Sequence, residues 1–335
     1  MAYHTRKLQE LDTEATRQRI VELFHQNGTP DPEQRYPWLY RSEYARSQVL
    51  TRLLLHDDEV VGIASAMRIP VNGLSLVSFV NLLVDERHRT LGPAMILEKS
   101  LLKSACTTFC PDLLIAKPNP KSRILFKRMK FADLGAIPRY SWIANPGGFL
   151  QLGDSLAQGI GHMSRALLDP WLRLQAMDDR VRNGELPGRW QFFDSINEQR
   201  EILPPFQAWR YSDIPNGRSR IAFLGTPGPA APSIIYHLGS SGVIGISDIA
   251  NSRGRYRQLL ASFMREILHR HRPRNITITV SNSPDLEAAL DSLGFVRRED
   301  EDALHLFLSD CTGSPRYKLL ERLGKAPLFA GNIDF

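Results

Sequence analysis

Cysteine is scarce in this 335-residue chain: Cys106, Cys110 and Cys311 are its three, too few and too oddly numbered for the disulfide framework of a small secreted domain. They are expected to be structural thiols. Cys106 and Cys110 share a helical face, but no His or further Cys lies near enough in sequence to suggest a zinc site, so no metal is expected. Long apolar runs are absent too, and nothing approaches the roughly 18 residues a membrane span requires. The opening stretch MAYHTRKLQELD lacks the apolar core of a secretion signal, which makes the cytoplasm the expected compartment. What is present is ordinary: 42% hydrophobic and 23% charged residues exclude disorder and allow a sizeable core. The length exceeds a usual single domain, so two are expected. A net charge of +6 favours anionic partners, whether phosphorylated small molecules, an acidic protein, nucleic acid or an anionic membrane face.

The most informative segment is Val77–Ser100, VSFVNLLVDERHRTLGPAMILEKS. An apolar strand runs into Arg89-Thr90-Leu91-Gly92-Pro93-Ala94, and residues at helical spacing follow, among them Ala94, Leu97, Leu101, Leu102 and Ala105. A tight turn into a helix leaves free backbone N–H groups at the positive end of the helix dipole, which suits a pyrophosphate. Upstream, Gln48–His56 and Val60–Val71 read as strands joined by Asp57-Asp58-Glu59. Asn72-Gly73 then turns the chain into a third strand, Leu74–Asp85, because both residues tolerate positive φ. Downstream come a short strand, Leu113–Ala116, and the segment Asn119–Phe131.

Arg89-x-x-Gly92-x-Ala94 resembles the acyl-CoA-binding motif of the GNAT superfamily of N-acyltransferases, and the order of three antiparallel strands, turn, helix and strand resembles its core. The resemblance covers about Trp38–Phe131. It implies transfer of an acyl group from acetyl-CoA or another acyl-CoA directly to the amine of a small acceptor. It assigns cofactor contacts to Leu83, Val84, Arg89, Thr90, Leu91, Gly92, Pro93, Ala94, Asn119 and Phe126. Within that set, Pro93 supplies no N–H but suits a first helical turn, and Asn119 serves either the pantetheine arm or the start of the next helix as a cap. The resemblance also places an oxyanion-stabilising amide at Val84. Many members carry a Tyr where this chain has Phe126, so Tyr140 is the substitute candidate for the acid that meets the departing thiolate. Asp85, Glu86, His88 and Asn81 flank the turn as candidate bases, with Glu86 taken forward. Lys130-Phe131 stands where the family has Gly-Phe, a departure because Lys adopts positive φ with difficulty.

The second half echoes the first. Ser233–Gly239 and Val243–Ile249 form an apparent hairpin, Arg257–His269 carries a helical stripe, Ile276–Val280 is a strand, and Asn282 leads to Gly294-Phe295. Trp38-Leu39-Tyr40 and Trp209-Arg210-Tyr211 occupy comparable positions. The economical reading is an α/β (α+β) chain of two tandem GNAT-like units, each a mixed, mostly antiparallel sheet flanked by helices. The expected boundaries are 1–146 for the acyl-CoA-binding domain, 147–195 for a helical linker, 196–310 for a degenerate second domain and 311–335 for a tail. The second copy has Ser252-Arg253-Gly254-Arg255-Tyr256-Arg257 at the phosphate turn, with bulky residues that would crowd a phosphate, so it is expected to contribute structure and part of the acceptor pocket; the contrary reading is that Arg253, Arg255 and Arg257 bind an anion by charge. Across the linker, Leu152, Leu156, Ile160, Met163, Leu167, Leu168, Trp171, Leu172 and Leu174 form an apolar stripe interrupted by Pro170. Such a stripe packs on a neighbouring domain or, with Arg165, Arg173, Arg180 and Arg182, lies on a membrane surface, which would suit a lipid-linked acceptor. The acceptor is expected to be a small molecule such as an amino sugar, with no nucleic acid involved. Two other classes compete: a tandem-GNAT ligase drawing on aminoacyl-tRNA, and a catalytically inactive pair serving as a binding module.

Overall fold

The computed structural model describes residues 2–71, 73–144, 168–172, 174–175, 189–215, 217–239, 242–252, 254–281, 283–298, 305–324 and 328–329. In the first half, β1 (Tyr3–Lys7), β2 (Val49–His56), β3 (Glu59–Val71) and β4 (Leu74–Val84) form an antiparallel run, and β5 (Leu113–Ala116) joins β4 in parallel. Residues of β2 and β3 alternate between faces, as period-2 patterning requires. Leu53, Ile63 and Met67 pack toward helices α1 (Glu14–Gln26), α2 (Pro32–Tyr36) and α3 (Glu43–Gln48), whereas Leu54, Ala64 and Ala66 pack against α4 (Leu91–Phe109) and α5 (Arg123–Arg128). Thr13 starts α1 by accepting the Thr16 N–H. This N-terminal helical layer carries no motif and was not read from the sequence.

Two short strands follow α5: β6 (Ala132–Ala136) and β7 (Arg139–Ile143). The second half then repeats the plan with β8 (Trp190–Phe193), β9 (Ser219–Leu224), β10 (Ser233–Leu238), β11 (Val243–Ala250), helix α6 (Tyr256–His271), β12 (Asn275–Ser281), helix α7 (Pro284–Ser292), β13 (Val296–Arg298), β14 (His305–Ser309), helix α8 (Arg316–Leu323) and β15 (Leu328–Phe329). β12 lies parallel to β11, as β5 does to β4.

The halves trade a strand. The first sheet runs β1-β2-β3-β4-β5-β14-β6, so a strand from near the C-terminus fills the slot between β5 and β6. The second runs β13-β7-β12-β11-β10-β9-β8, with β7 from the first half filling the matching slot between β12 and β13, and β15 pairing β12 beside this path. A division at residue 146 therefore assigns Arg139–Ile143 to the wrong sheet. Alternation within a strand specifies which face is buried but not which neighbour it pairs with.

A pseudo-twofold relation joins the halves at Trp38 and Trp209. Their rings stack at 4.7 Å with planes 12° apart. Trp38 Nε1 donates to the Trp209 carbonyl at 3.0 Å, and Trp209 Nε1 donates to the Trp38 carbonyl at 3.2 Å. Both residues sit on single π-helical turns, Pro37–Arg41 and Ala208–Ser212. Each buried indole N–H thus meets the carbonyl of its counterpart, which is how a buried Trp avoids an unpaired donor.

The expectation of three free thiols fails, since Cys106 on α4 and Cys311 just after β14 form a disulfide and leave Cys110 free and exposed. The exchanged strand brings together two cysteines that are 205 residues apart in sequence, a proximity no local pattern encodes. Among the described residues, no helix is long and apolar enough to cross a membrane.

Candidate functional site

Strand β4 departs from regular geometry at Asn81. Ile63 pairs with Leu83 and Ser65 with Val80, so β4 carries one residue more than β3 across that interval. Asn81 absorbs it with φ of 52°, in the left-handed region that Asn tolerates better than most residues. The parallel pairing with β5 stops just before, at Phe79 and Ala116. Beyond that point the two strands part, and a cleft of about 220 Å³ opens. Its lining combines the bulge (Val80, Asn81, Leu82) with Lys117, Asn119 and Ser122 past β5, Phe126 of α5 and Glu98 of α4.

The turn into α4 opens beside this strand. Asp85, buried at the end of β4, accepts from the Arg87 backbone N–H at 3.0 Å and from Arg87 Nε at 3.1 Å, and it also pairs with Arg19 of α1. Desolvation opposes ionisation of Asp85, but the hydrogen bonds from Arg87 and Arg19 hold its carboxyl well below the usual carboxylate range. The strand end is thereby tied to α1. At the helix start, Thr90 makes no side-chain cap, no acidic residue occupies the first turn, and a Cβ built on Gly92 meets nothing within 4 Å. The helix start thus has no side-chain cap and open space beside Gly92, and the fold itself does not demand glycine at position 92. Uncapped amides beside such space fit a phosphate group.

The other residues singled out from the sequence divide into three groups. Arg89 lies at the turn, but its side chain reaches back, donating through Nε and Nη2 to the Val84 carbonyl at 3.3 Å and through Nη2 to Asn27 Oδ1 at 3.2 Å. Phe126 and Asn119 do line the cleft. Phe126 packs in a cluster with Phe79, Phe131 and, from the exchanged strand, Phe307. Asn119 Oδ1 accepts from the Ser122 backbone N–H and hydroxyl, both at 3.0 Å, in the turn ahead of α5, whose N-cap is Ser122 without a side-chain cap. Leu83, Val84, Glu86 and Tyr140 are not in the lining of the cleft. Val84 pairs with Gly62, past the bulge, and Glu86 is an exposed residue of the short turn before α4. Tyr140 stands in the second sheet, where its hydroxyl donates to Glu287 of α7 at 3.1 Å. The acid role in the first half cannot fall to it, because β7 crosses to the other half. Lys130, for its part, does adopt positive φ, 64°, as Gly294 does at 76° in the second half.

Glu98 went unnoticed in the sequence, where it looks like an ordinary helix-surface residue. It is 1% exposed, its Oε2 is buried without a hydrogen-bond partner, and burial pushes its carboxyl up to about 8. Its place on the stripe with Leu97, Leu101 and Ala105 was the available signal.

On the opposite face of the sheet a polar chain runs to the bulge. Thr51 Oγ1 and Ser65 Oγ lie 3.0 Å apart, and Ser65 donates to the Tyr40 hydroxyl at 3.3 Å. Burial raises the Tyr40 hydroxyl well above its ordinary value, against the pull of Ser65, the Arg35 charge and the neighbouring Asn81 amide. Asn81 Nδ2 is itself buried without a hydrogen-bond partner. Tyr40 and Thr51 also line a pocket of about 520 Å³, with Gln9, Asp12, Arg41 and Arg46 as its polar wall. Its lining, among the described residues, comes from the first half alone.

The second half preserves the plan with different chemistry. A register shift against β10 places one extra residue, Ser247, in β11, and the Tyr211 hydroxyl donates to the Ser247 carbonyl at 3.4 Å. At the start of α6, Arg255 makes no side-chain cap, and the bulky Arg255, Tyr256 and Arg257 stand where α4 has Gly92-Pro93-Ala94; the Arg257 side chain turns to the linker, its Nε donating to Gln175 Oε1 at 2.7 Å. Gln175 belongs to the linker, whose Leu172 is fully buried in the second core and whose Asp169 pairs with Arg265 at 2.9 Å. Of the described part of the apolar stripe, Leu168, Trp171 and Leu172 pack on the second core, whereas Leu174 is exposed. Leu152 through Leu167, Arg165, Arg173, Arg180, Arg182, Arg253, Asn72 and Asn282 lie outside the described residues. No group of three or more His, Cys, Asp or Glu suited to a metal ion occurs among the described residues.

No family model matches this chain, and no curated relative matches it. Solved structures do. A GCN5-related N-acetyltransferase from Anabaena variabilis superposes with a TM-score of 0.60 at 11% identity, covering 92% of this chain and 73% of the other. A protein from Enterococcus faecalis described as a probable N-acyltransferase gives 0.58 at 11% identity, covering 93% and 73%. A GCN5-related N-acetyltransferase from Kribbella flavida gives 0.56 at 12% identity, covering 92% and 72%. With its parted β4 and β5, its paired bulges and its repeated strand order, the chain is two GNAT folds in tandem, interleaved by one exchanged strand from each.

Proposed function

We propose that the chain is an acyl-CoA-dependent N-acyltransferase that works through its first half. One observation carries this reading: the uncapped start of α4 and the cleft between β4 and β5 flank the same strand, so a phosphate-bearing end and an extended arm have adjoining sites. Acyl-CoA, when bound, supplies an activated acyl carbon and a thiolate leaving group. The amides of Leu91, Gly92 and Ala94 hold the pyrophosphate, with charge-assisted hydrogen bonds and the helix terminus contributing on the order of 1 kcal/mol each. Arg89 acts as a tether for the end of β4 and contributes charge at the turn. We assign oxyanion stabilisation to the bulge backbone at Asn81 and Leu82 instead of Val84, because a bulge frees backbone groups from the ladder.

The acceptor amine enters the pocket beside Tyr40. Its polar wall suits a small hydrophilic amine, such as an amino sugar, better than an apolar one. The Thr51, Ser65 and Tyr40 chain gives a path for the proton the amine sheds. A ligase drawing on aminoacyl-tRNA would not need the α4 amides free, and an inactive binding module would not need both clefts open.

The test is a thermal-shift titration with CoA, acetyl-CoA and longer acyl-CoAs. A ligand present at a hundred times its Kd adds about 2.7 kcal/mol to stability, a rise of several degrees. No shift with any CoA species would overturn this reading and favour the ligase or the binding module.

A further inference from the structure

A carboxyl group buried without a partner costs stability, so the position of Glu98 calls for a compensating role. The side chain is on the face of α4 that packs against the sheet, one residue beyond Leu97, which is fully buried. It lines the cleft that also contains the bulge at Asn81 and Leu82 and the ring of Phe126. Phe126 is closed in by Phe79, Phe131 and Phe307 and offers no proton. Asn119 and Ser122 of the same lining are committed to each other. Glu98 is the carboxyl-bearing residue of this lining, and its Oε2 is buried with no hydrogen bond to the protein.

We propose that the Glu98 carboxyl gives its proton to the sulfur that leaves the acyl carbon in this cleft. The inference rests on the acyl-CoA reading above and names the acid which that reading lacks. The amine lone pair forms the new C–N bond, and the C–S bonding pair passes to sulfur, which takes the Glu98 proton. The carboxylate left behind is reprotonated by the proton that nitrogen sheds, through solvent. A thioester and an amine thus become an amide and a thiol, and the protein returns to its starting state. Burial favours the protonated carboxyl at neutral pH, and a thiol of ordinary acidity near pH 8.5 is closely matched to it, the condition for efficient transfer. Among the other charged groups on neighbouring elements, Lys117 shares the cleft lining. Arg52 of β2 donates to Ser104 further along α4, and Arg123 lies on α5. Burial alone accounts for the raised affinity of Glu98 for its proton.

Calorimetric titration with CoA and with desulfo-CoA, which lacks the sulfur, isolates this contact and needs no acceptor. In the wild-type protein a charge-assisted carboxyl–sulfur hydrogen bond makes CoA bind roughly tenfold more tightly than desulfo-CoA near pH 8.5. The preference shrinks by pH 10, when both groups have lost their protons and repel. In Glu98→Leu the preference disappears at every pH while desulfo-CoA affinity is retained. In Glu98→Gln, which keeps the shape and a hydrogen-bond donor, the loss at pH 10 disappears. Equal affinity for CoA and desulfo-CoA in the wild type, or a preference that survives unchanged in Glu98→Leu, overturns the proposal and leaves the CoA site standing. Failure of both ligands to bind overturns the acyl-CoA reading itself.

Discussion

Replacing Glu98 by Gln should stabilise the protein, and by an amount that depends on pH. In the folded chain burial lifts this carboxyl from 4.5 to about 8. The unfolded chain releases the proton near its ordinary value, so between those two points the native state holds a proton that the unfolded state does not. Stability therefore falls as pH rises through this window, by about 1.4 kcal/mol per pH unit once the unfolded carboxyl is ionised. Glutamine has nearly the same volume and never ionises, so Glu98→Gln removes the penalty. The gain is about 1 kcal/mol at pH 5 and about 3 kcal/mol at pH 7, and it levels off above pH 8. Urea denaturation of both proteins at pH 5, 7 and 9, with fixed ionic strength, reads this difference directly from the midpoints. A gain that is the same at all three values, or a net loss at pH 7, would refute the claim that Glu98 is buried as a neutral acid. A residue whose replacement stabilises the fold yet alters sulfur recognition is retained for function rather than for packing.

The remaining predictions concern the α4 turn, the left-handed lysine and the disulfide. Gly92→Trp should leave the melting temperature of the free protein within a degree or two, because a Cβ there meets nothing within 4 Å, and should abolish the thermal shift caused by CoA. Lys130→Gly should raise stability by up to about 1 kcal/mol in denaturant titration, since φ of 64° costs a residue with a Cβ and costs glycine nothing. Cys311→Ser, or wild-type protein under reductant, should lose up to about 5 kcal/mol in the same titration, the chain-entropy value for a cross-link spanning 205 residues.

The strands β2 to β5 and the helix α4 were legible because each has a local signature: alternation for the strands, a heptad-like stripe for the helix, and positive-φ residues at the Gly73 turn. Tandem duplication was legible for the same reason, since Trp38 and Trp209 mark equivalent turns in both copies. The exchange of β7 and β14 was not, because a five-residue strand states its faces and leaves its partner to the rest of the fold. That single ambiguity misplaced Tyr140, hid the approach of Cys311 to Cys106, and concealed Phe307 behind Phe126. The family motif lies where α4 begins, but alignment with it set the bulge too late, at Val84 instead of Asn81, since a bulge is a backbone event signalled only by an Asn suited to positive φ. Glu98 escaped notice because a single Glu within a helical stripe is normally solvated, and only the depth of this helix against the sheet makes it otherwise.

The central claim is that main-chain amides at the start of α4 in the first half seat a diphosphate, while the matching helix start in the second half carries the bulky Arg255, Tyr256 and Arg257 in place of Gly92-Pro93-Ala94. Isothermal titration of the wild-type protein with CoA tests it most directly, because the stoichiometry counts sites. The account predicts one CoA per chain, with no measurable heat in Gly92→Trp. Two equivalent sites, none, or one that Gly92→Trp leaves intact would contradict it.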